Sequence, residues 1–217
     1  MRGPGSILSE TQNQEMSFAV INLGVQMPNP SPSHRVCPWW LGYLLASPIR
    51  RLMQKPEKVL EGLVKPGMTV LEPGPGMGFF TLELARMVGS AGRVIAVDIA
   101  PKMLEGLRRR AAKAGLADRI DTRVARADSM GLADLDGVVD FTLAFALVHE
   151  LPAAAPFFQE VARVSKPGAR LLFVEPAGHV SAAHFEAEVQ AARDAGFKLV
   201  DSPPVRRSTA SLLEKIV

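Results

Sequence analysis

The chain has 217 residues, of which 47% are hydrophobic and 22% charged, and it carries a formal net charge of +3 at pH 7. This composition is typical of a globular protein with an apolar core, and the length fits one domain with an appendage. So small a charge excess argues against a nucleic-acid-binding protein unless the basic residues cluster. The single cysteine, Cys37, excludes an internal disulfide and favours a reducing, cytoplasmic location. We expect neither a signal peptide nor a membrane-spanning helix.

The N-terminal part of the chain differs in composition from the rest. Residues 1–33 are rich in Gly, Ser, Asn, Gln and Pro, which predicts a flexible leader, although SFAVINLGV within them also fits a short strand or a packed arm. Prolines divide residues 34–64 into short pieces, so we expect a helical appendage before a main domain at residues 65–217. The helices predicted for the appendage are Trp39–Ala46, Pro48–Gln54 and Pro56–Val64.

From Thr69 onward, short apolar runs alternate with stretches of helical periodicity. This alternation predicts an α/β fold, a Rossmann-like doubly wound sheet of seven mostly parallel strands. The tail segments FKLVDSPP and STASLLEKIV have no helix between them, which predicts an antiparallel hairpin at the C-terminal edge. The other predicted strands are TVLEP, RVIAVD, IDTRVA, VDFTLAFA and ARLLFVEP. The predicted helices are Phe79–Val88, Pro101–Ala114, Ala153–Val164 and Ser181–Ala195.

The stretch VLEPGPGMGFF joins the first of these strands to a helix and carries glycines at positions 74, 76 and 78. This spacing differs from the G-x-G-x-x-G of dinucleotide sites, and the lysine of a phosphate-binding P-loop is missing. Glu72 at the mouth of the loop would repel a phosphate but attract an amino-bearing ligand. The glycines let backbone N–H groups approach a ligand carboxylate.

An acidic residue ends the next strand. Asp98 follows VIAV, twenty residues after Gly78, where a carboxylate accepts hydrogen bonds from two ribose hydroxyls. An amino acid joined to a ribonucleoside satisfies the loop, Glu72 and Asp98 together. S-adenosylmethionine is such a molecule.

The ordered segments VLEPGPGMGFFTLELA, GRVIAVDIAPKML, RADSM, VDFTLAFALVHEL and KPGARLLFVEP resemble the motifs of class I S-adenosylmethionine-dependent methyltransferases. The resemblance covers the chain from about Lys55 to the C-terminus and is nearest to the small-molecule branch with ubiquinone- and menaquinone-biosynthesis methyltransferases. It implies that Glu72, Gly74 and Gly76 line the methionine end of the cofactor while Gly78 shapes the turn. The remaining implied contacts are Asp98 (ribose), Ile99 and Met103 (adenine ring), Asp128 and Ser129 (adenine edge), and Ala144 and Phe145 (sulfonium).

The candidate catalytic residues follow the fourth predicted strand. His149 and Glu150 lie at the carboxyl end of the sheet, where such folds bind ligands, and histidine titrates near neutral pH. They are candidate bases for an acceptor that arrives protonated, or alternatively a capping pair with no proton role. Glu175 and His179, after the fifth strand, are further candidates to face the cleft. No metal site is predicted, because His34 and Cys37 supply too few ligands.

The acceptor is less defined than the cofactor. The fourth strand ends in AFALVHE rather than the N-x-P-[YF] that marks methylation of base amino groups, and the run Arg108–Arg110 reads as a solvated helix face. The segment with Trp39 and Trp40 fits a lid over an apolar acceptor, a helix in contact with a membrane surface, or simple packing. We therefore expect a small-molecule methyltransferase, with an RNA or protein methyltransferase or a non-catalytic cofactor-binding protein as alternatives. The sequence does not give the oligomeric state.

Overall fold

The computed structural model describes residues 55–126 and 129–216. The predicted leader, the first two helices of the appendage, the tryptophan pair and Asp128 lie outside the described residues. Within the described ranges, no helix combines the length and the apolar character needed to cross a bilayer.

Strands and helices alternate from Thr69 to Asp194, except that the described residues hold no helix between Val124 and Val139. The strands are β1 (Thr69–Pro73), β2 (Arg93–Asp98), β3 (Ile120–Val124), β4 (Val139–Phe145), β5 (Ser165–Pro176), β6 (Phe197–Asp201) and β7 (Ser208–Lys215). The α-helices are α1 (Pro56–Val59), α2 (Thr81–Val88), α3 (Pro101–Lys113), α4 (Ala154–Val164) and α5 (Ala182–Asp194). Short 3-10 helices cover Ala117–Arg119 and Val148–Glu150.

The strands form a seven-stranded sheet in the order β3-β2-β1-β4-β5-β7-β6. Strands β1 to β5 pair in parallel, whereas β7 is antiparallel to both β5 and β6. This topology confirms the predicted mostly parallel sheet with an antiparallel C-terminal hairpin. The strand order reverses beside β1, and ligands of open α/β sheets bind at the carboxyl ends of the strands at such a reversal.

The sheet has an apolar core on each face because successive side chains of a strand point to opposite sides. One core joins α2 and α3 to the sheet through residues such as Leu84, Leu107 and Phe141. The other joins α4 and α5 to the sheet and contains Phe158 and Phe173, whose ring centroids lie 5.5 Å apart. Helices on both faces make the sheet doubly wound, as predicted.

Two element boundaries differ from the prediction by four residues or more. Helix α1 ends at Val59 instead of Val64, and Gly62 follows with a φ of +73°, a conformation that glycine adopts readily and that ends helices. Strand β5 begins at Ser165, four residues before the predicted start at Ala169. Ser165 pairs with Val139, and the register shifts between Val139 and Phe141, so the observed strand includes the Pro167-Gly168 pair.

Helix α5 carries a buried carboxyl group that gives a stability prediction. Glu188 is 3% exposed, its Oε1 lies 3.2 Å from Nε2 of His184, and burial, with repulsion from Glu175, raises its pKa to about 6. A raised carboxyl pKa means that the folded state holds the proton more tightly, so the free energy of unfolding falls as pH rises from about 4.5 to 6. We expect Glu188→Gln to increase the free energy of unfolding at pH 8 by up to about 2 kcal/mol.

The measurement is urea unfolding of the full chain at pH 8 and at pH 4.5. Glu186→Gln is the matched control, because Glu186 is on the same helix but exposed and paired with Arg193; it should change little at either pH. An equal gain for Glu188→Gln at both pH values would contradict the proposed ionisation of Glu188.

Candidate active site

The glycine loop connects β1 to α2 through backbone hydrogen bonds and left-handed conformations. Gly74, Gly76 and Gly78 have φ values of +68°, +54° and +84°, a region that residues with a Cβ atom rarely occupy. The N–H of Gly74 donates to the carbonyl of Val97 at 2.8 Å, and the N–H of Gly78 donates to that of Pro75 at 2.9 Å. The loop is therefore anchored to the end of β2.

The three glycines have different surroundings. A Cβ atom on Gly78 would lie 2.4 Å from Cδ1 of Leu107 on α3, and one on Gly74 would lie 3.0 Å from Cδ1 of Leu147. A Cβ atom on Gly76 would meet no atom within 4 Å, because this glycine lines a cavity. Gly78 thus lets α3 pack close to the loop, while Gly76 keeps the cavity wall free of a side chain.

Asp98 ties the loop to the end of β2. Its Oδ2 accepts a hydrogen bond from the N–H of Gly76 at 3.3 Å, and its Oδ1 accepts one from the N–H of Ala100 at 2.8 Å. Burial raises the pKa of Asp98 above its ordinary value, and the two backbone hydrogen bonds oppose the rise. The carboxylate is therefore fixed in orientation at the cavity wall.

A cavity of about 900 Å³ opens at the carboxyl ends of β1, β2 and β4. Its lining is mainly apolar and includes Phe80 and Phe145, whose ring centroids lie 4.7 Å apart. The volume is within the range of small-molecule and cofactor sites. The predicted site residues that line it are Glu72, Gly74, Gly76, Asp98, Ile99, Met103, Ser129, Phe145, His149 and Glu150.

Two predicted cofactor contacts do not line the cavity. Gly78 packs against Leu107, as described above, which agrees with a role in shaping the turn. Ala144 is fully buried in the core that faces α4 and α5, because Leu143 and Phe145, its neighbours in β4, occupy the opposite face. The residues near the end of β4 that line the cavity are Leu143, Phe145 and Ala146, and Ala144 is not among them.

The chain turns sharply after β4. Ala146 has a φ of +53°, and its N–H donates to the carbonyl of Val174 at 2.7 Å. A left-handed alanine is strained and persists where the surrounding structure determines it, often at a functional site. Here the turn leads into Val148–Glu150, which brings His149 and Glu150 to the cavity.

His149 is paired with a carboxylate from β5. Its Nδ1 lies 2.5 Å from Oε2 of Glu175, which is 1% exposed. The other oxygen of Glu175 accepts hydrogen bonds from the N–H groups of Val148 at 2.8 Å and His149 at 3.3 Å. The hydrogen bond to Glu175 raises the pKa of His149, and burial partly opposes this.

Of the other polar residues predicted near the cleft, Glu150 and His179 line the cavity and Glu175 does not. Burial raises the pKa of Glu150, a lining residue, above its ordinary value. His179 also lines the cavity but is exposed. Glu175, which we expected as a candidate for the cleft, lies behind His149 instead.

Sequence reasoning missed Glu160 on α4. Its Oε1 accepts a hydrogen bond from the hydroxyl of Ser129 at 3.2 Å, and its Oε2 accepts one from the N–H of Met130 at 2.9 Å. Glu160 therefore anchors the segment after β3 that carries a predicted adenine contact. Glu160 is in the middle of an amphipathic helix, and nothing in the sequence around it indicates a contact with the segment after β3.

The basic run on α3 is only partly a solvated face. Arg108 and Arg109 are exposed, but Arg110 is half-buried and donates through Nη1 to the carbonyl of Met77 at 2.5 Å. The prediction was wrong for Arg110, because its side chain hydrogen-bonds to the backbone of the glycine loop. This contact helps to fix the conformation of the loop.

The fold and this arrangement are those of a class I methyltransferase. Residues 64–201 match the family model described as a methyltransferase domain, and the chain belongs to that family. A solved structure of an S-adenosylmethionine-dependent methyltransferase from Aquifex aeolicus is similar to this chain, at 28% identity and a TM-score of 0.74, with 84% of this chain and 100% of that one covered. The [4+2]-cyclase SpnF, at 19% identity and a TM-score of 0.63 over 75% of this chain and 80% of that one, shares the fold.

Curated relatives match the same region. The ubiquinone/menaquinone biosynthesis C-methyltransferase of Marinomonas sp. is 32% identical over 132 residues, which are 61% of this chain and 51% of the relative. The ribosomal protein L11 methyltransferase of Symbiobacterium thermophilum is 34% identical over 136 residues, 63% of this chain and 40% of the relative. The chain thus spans about half or less of the length of these relatives.

Proposed function

We propose that this protein transfers a methyl group from S-adenosylmethionine to a small, apolar or aromatic acceptor. The observation that carries the proposal is one apolar cavity of about 900 Å³ whose wall contains the glycine loop, Asp98 and the histidine–glutamate pair. The groups proposed to bind the cofactor and those proposed to act on the acceptor thus line one cavity. The family membership and the Aquifex structure support the choice of cofactor.

The lining residues suit the chemical groups of S-adenosylmethionine. Glu72, buried at the end of β1, offers a carboxylate to the amino group of the methionine part. The open space beside Gly76 admits a ligand close to the backbone. Asp98 would bind the ribose hydroxyls. The other proposed contacts are Gly74, Ile99, Met103, Ser129, Phe145 and, outside the described residues, Asp128.

Methyl transfer depends chiefly on alignment. S-adenosylmethionine supplies a methyl group that is already activated by its sulfonium, so the protein has to hold the nucleophile in line with it. Such alignment contributes up to roughly 7–11 kcal/mol. His149 is the proposed base, and Glu150, whose pKa is raised by burial, is a second group able to hold a proton beside the acceptor.

The acceptor class follows from the cavity wall. Phenylalanine, methionine, leucine and proline side chains dominate the lining, which favours an apolar or aromatic molecule over an RNA chain. The similarity to a ubiquinone/menaquinone biosynthesis C-methyltransferase agrees with this assignment. The similarity to a ribosomal protein L11 methyltransferase supports protein methylation as the second candidate.

Several predictions concern residues that the structure does not describe. A lid or membrane-contacting helix around Trp39 and Trp40 stays a prediction, as do the flexible leader and the division of the chain at residues 34 and 65. The cytoplasmic location also stays a prediction.

The test is transfer of radiolabelled methyl from S-adenosylmethionine to separate pools of metabolite extract, RNA and protein. We expect label in organic-soluble small molecules. Label confined to RNA or protein would overturn the acceptor class, and tight cofactor binding without label in any pool would indicate a binding protein.

A pair of glycine variants makes this assay specific for the cavity. Gly76→Ala and Gly89→Ala both place a side chain at positive φ, +54° and +67°, with no atom within 4 Å of the new Cβ. Gly76 lines the cavity, whereas Gly89 caps α2 away from it. We expect transfer to fall at least tenfold in Gly76→Ala only; equal losses would show that backbone strain, not the cavity, is responsible.

A further inference from the structure

We infer that Glu175 is a positioning residue, which holds His149 with its proton on Nδ1 so that Nε2 accepts a proton from the acceptor. The acceptor is then a molecule that enters uncharged and loses a proton from oxygen or carbon, such as a phenol, an enol or an activated carbon acid. The inference rests on the proposed function for the identity of the donor.

The geometry of Glu175 leaves little freedom to the histidine ring. Its carboxylate is 1% exposed, and one oxygen is held by the N–H groups of Val148 and His149, at 2.8 and 3.3 Å. The other oxygen lies 2.5 Å from Nδ1 of His149. A carboxylate only accepts hydrogen bonds, so the proton of a neutral imidazole in this contact is on Nδ1.

The inference assigns the remaining ring nitrogen, Nε2, to the acceptor. His149 lines the cavity, whereas Glu175 lies behind it. With Nδ1 engaged, Nε2 is the unprotonated nitrogen and the only atom of the ring able to accept a proton. In the transfer, the oxygen or carbon of the acceptor bonds to the methyl group, and the methyl–sulfur bond breaks with its electron pair left on sulfur. The proton of the acceptor moves to Nε2.

The charge of the cavity restricts the acceptor independently. Among its described lining residues, Glu72, Asp98, Glu150 and Glu160 carry carboxylates, and Arg126 alone is a lysine or arginine. An acceptor that arrives as a carboxylate, phosphate or thiolate meets repulsion there. A neutral protic molecule does not, and it is the kind of nucleophile that needs a base.

The groups that face the imidazole come from three elements. Glu175 is on β5, Glu150 is the next residue of the same turn, and Glu188 is on α5, where His184 pairs with it. All three carboxylates favour the protonated ring, but only Glu175 contacts it. A test of the inference must therefore separate contact from charge.

The experiment is ¹⁵N NMR of the histidine side chains in the 217-residue chain, titrated through the imidazole pKa. Glu175→Gln keeps an oxygen for the two backbone N–H groups but presents an amide NH₂ to Nδ1. We expect the neutral ring to change from Nδ1–H to Nε2–H, with a pKa lower by about one pH unit or more. The matched control Glu188→Gln removes a buried carboxyl group without touching the ring, and the tautomer should stay on Nδ1–H.

Each outcome decides the inference. An Nε2–H tautomer in the unmodified protein, or an unchanged tautomer and pKa in Glu175→Gln, would overturn it. Loss of the Nδ1–H form in both variants would assign the effect to charge and also overturn it. This measurement needs no cofactor, so its failure is distinct from failure of the proposed function, which calorimetry with S-adenosylmethionine reports.

The product of the labelled-methyl assay tests the acceptor class. An O-methyl or C-methyl product agrees with it, whereas an S-methyl product or an N-methyl product of an amine that needs no base contradicts it.

Discussion

Replacing Asp98 by alanine is expected to lower the affinity for S-adenosylmethionine roughly 100-fold or more while the protein remains folded. The carboxylate orders the loop through Gly76 and Ala100, and it is proposed to bind two ribose hydroxyls. Hydrogen bonds to a charged group contribute about 1.5–3 kcal/mol each, so losing two of them accounts for this factor. Isothermal titration calorimetry with S-adenosylmethionine measures the change, and thermal unfolding checks the fold.

The control for this variant is another aspartate at the end of a strand. Asp201 ends β6, is exposed and accepts a hydrogen bond from the N–H of Ser202 at 2.8 Å, but it does not line the cavity. Asp201→Ala should leave the affinity unchanged. If Asp98→Ala bound S-adenosylmethionine as tightly as the unmodified protein, the cofactor assignment would have to be withdrawn.

The strand and helix pattern was predictable because its signals are local. β1 and β2 match their predicted ranges to the residue, since each is a short apolar run between a turn and a polar end. The glycine loop and Asp98 were also predictable, because both follow strand ends along the chain. Apart from the C-terminal hairpin, the sequence alone could not give which strand lies beside which.

The contacts that support the site from other elements could not be predicted either, because the partners are distant in the sequence. Glu160 and Arg110 act across distances of 30 and 33 residues in the chain. Both are charged residues on amphipathic helices, where charged side chains usually face solvent. Glu175 was predicted as a candidate for the cleft, but its pairing with His149, 26 residues earlier in the chain, was not predicted. Only the parallel pairing of β4 with β5 brings these two residues together.

The position of Ala144 depends on which face of β4 its side chain is on. The sequence indicated that the end of β4 contacts the ligand but not which face of the strand turns toward it. Because side chains alternate, Ala144 enters the core while Leu143 and Phe145 reach the cavity. A one-residue error of this kind is expected wherever both faces of a strand are apolar.

Replacing His149 by alanine is expected to reduce turnover roughly 100- to 10,000-fold, the usual contribution of a general base. The affinity for S-adenosylmethionine should stay within about twofold, because the proposed cofactor contacts are made by other residues. The dependence of turnover on pH tests the same role of His149, and its direction can be predicted. The raised pKa of His149 means that turnover in the unmodified protein increases with pH, with a midpoint above the ordinary histidine value of about 6.5, since only the neutral ring accepts a proton.

His179→Ala is the matched control, because His179 also lines the cavity but is exposed and lies outside the pairing with Glu175. It should keep most of the turnover and the same pH midpoint. The assay is labelled-methyl transfer to metabolite extract from pH 5.5 to 9. An extract serves as the source of acceptor because only the chemical class of the acceptor is proposed. Full turnover by His149→Ala would remove the residue from the base role, and the acceptor would then be one that needs no base.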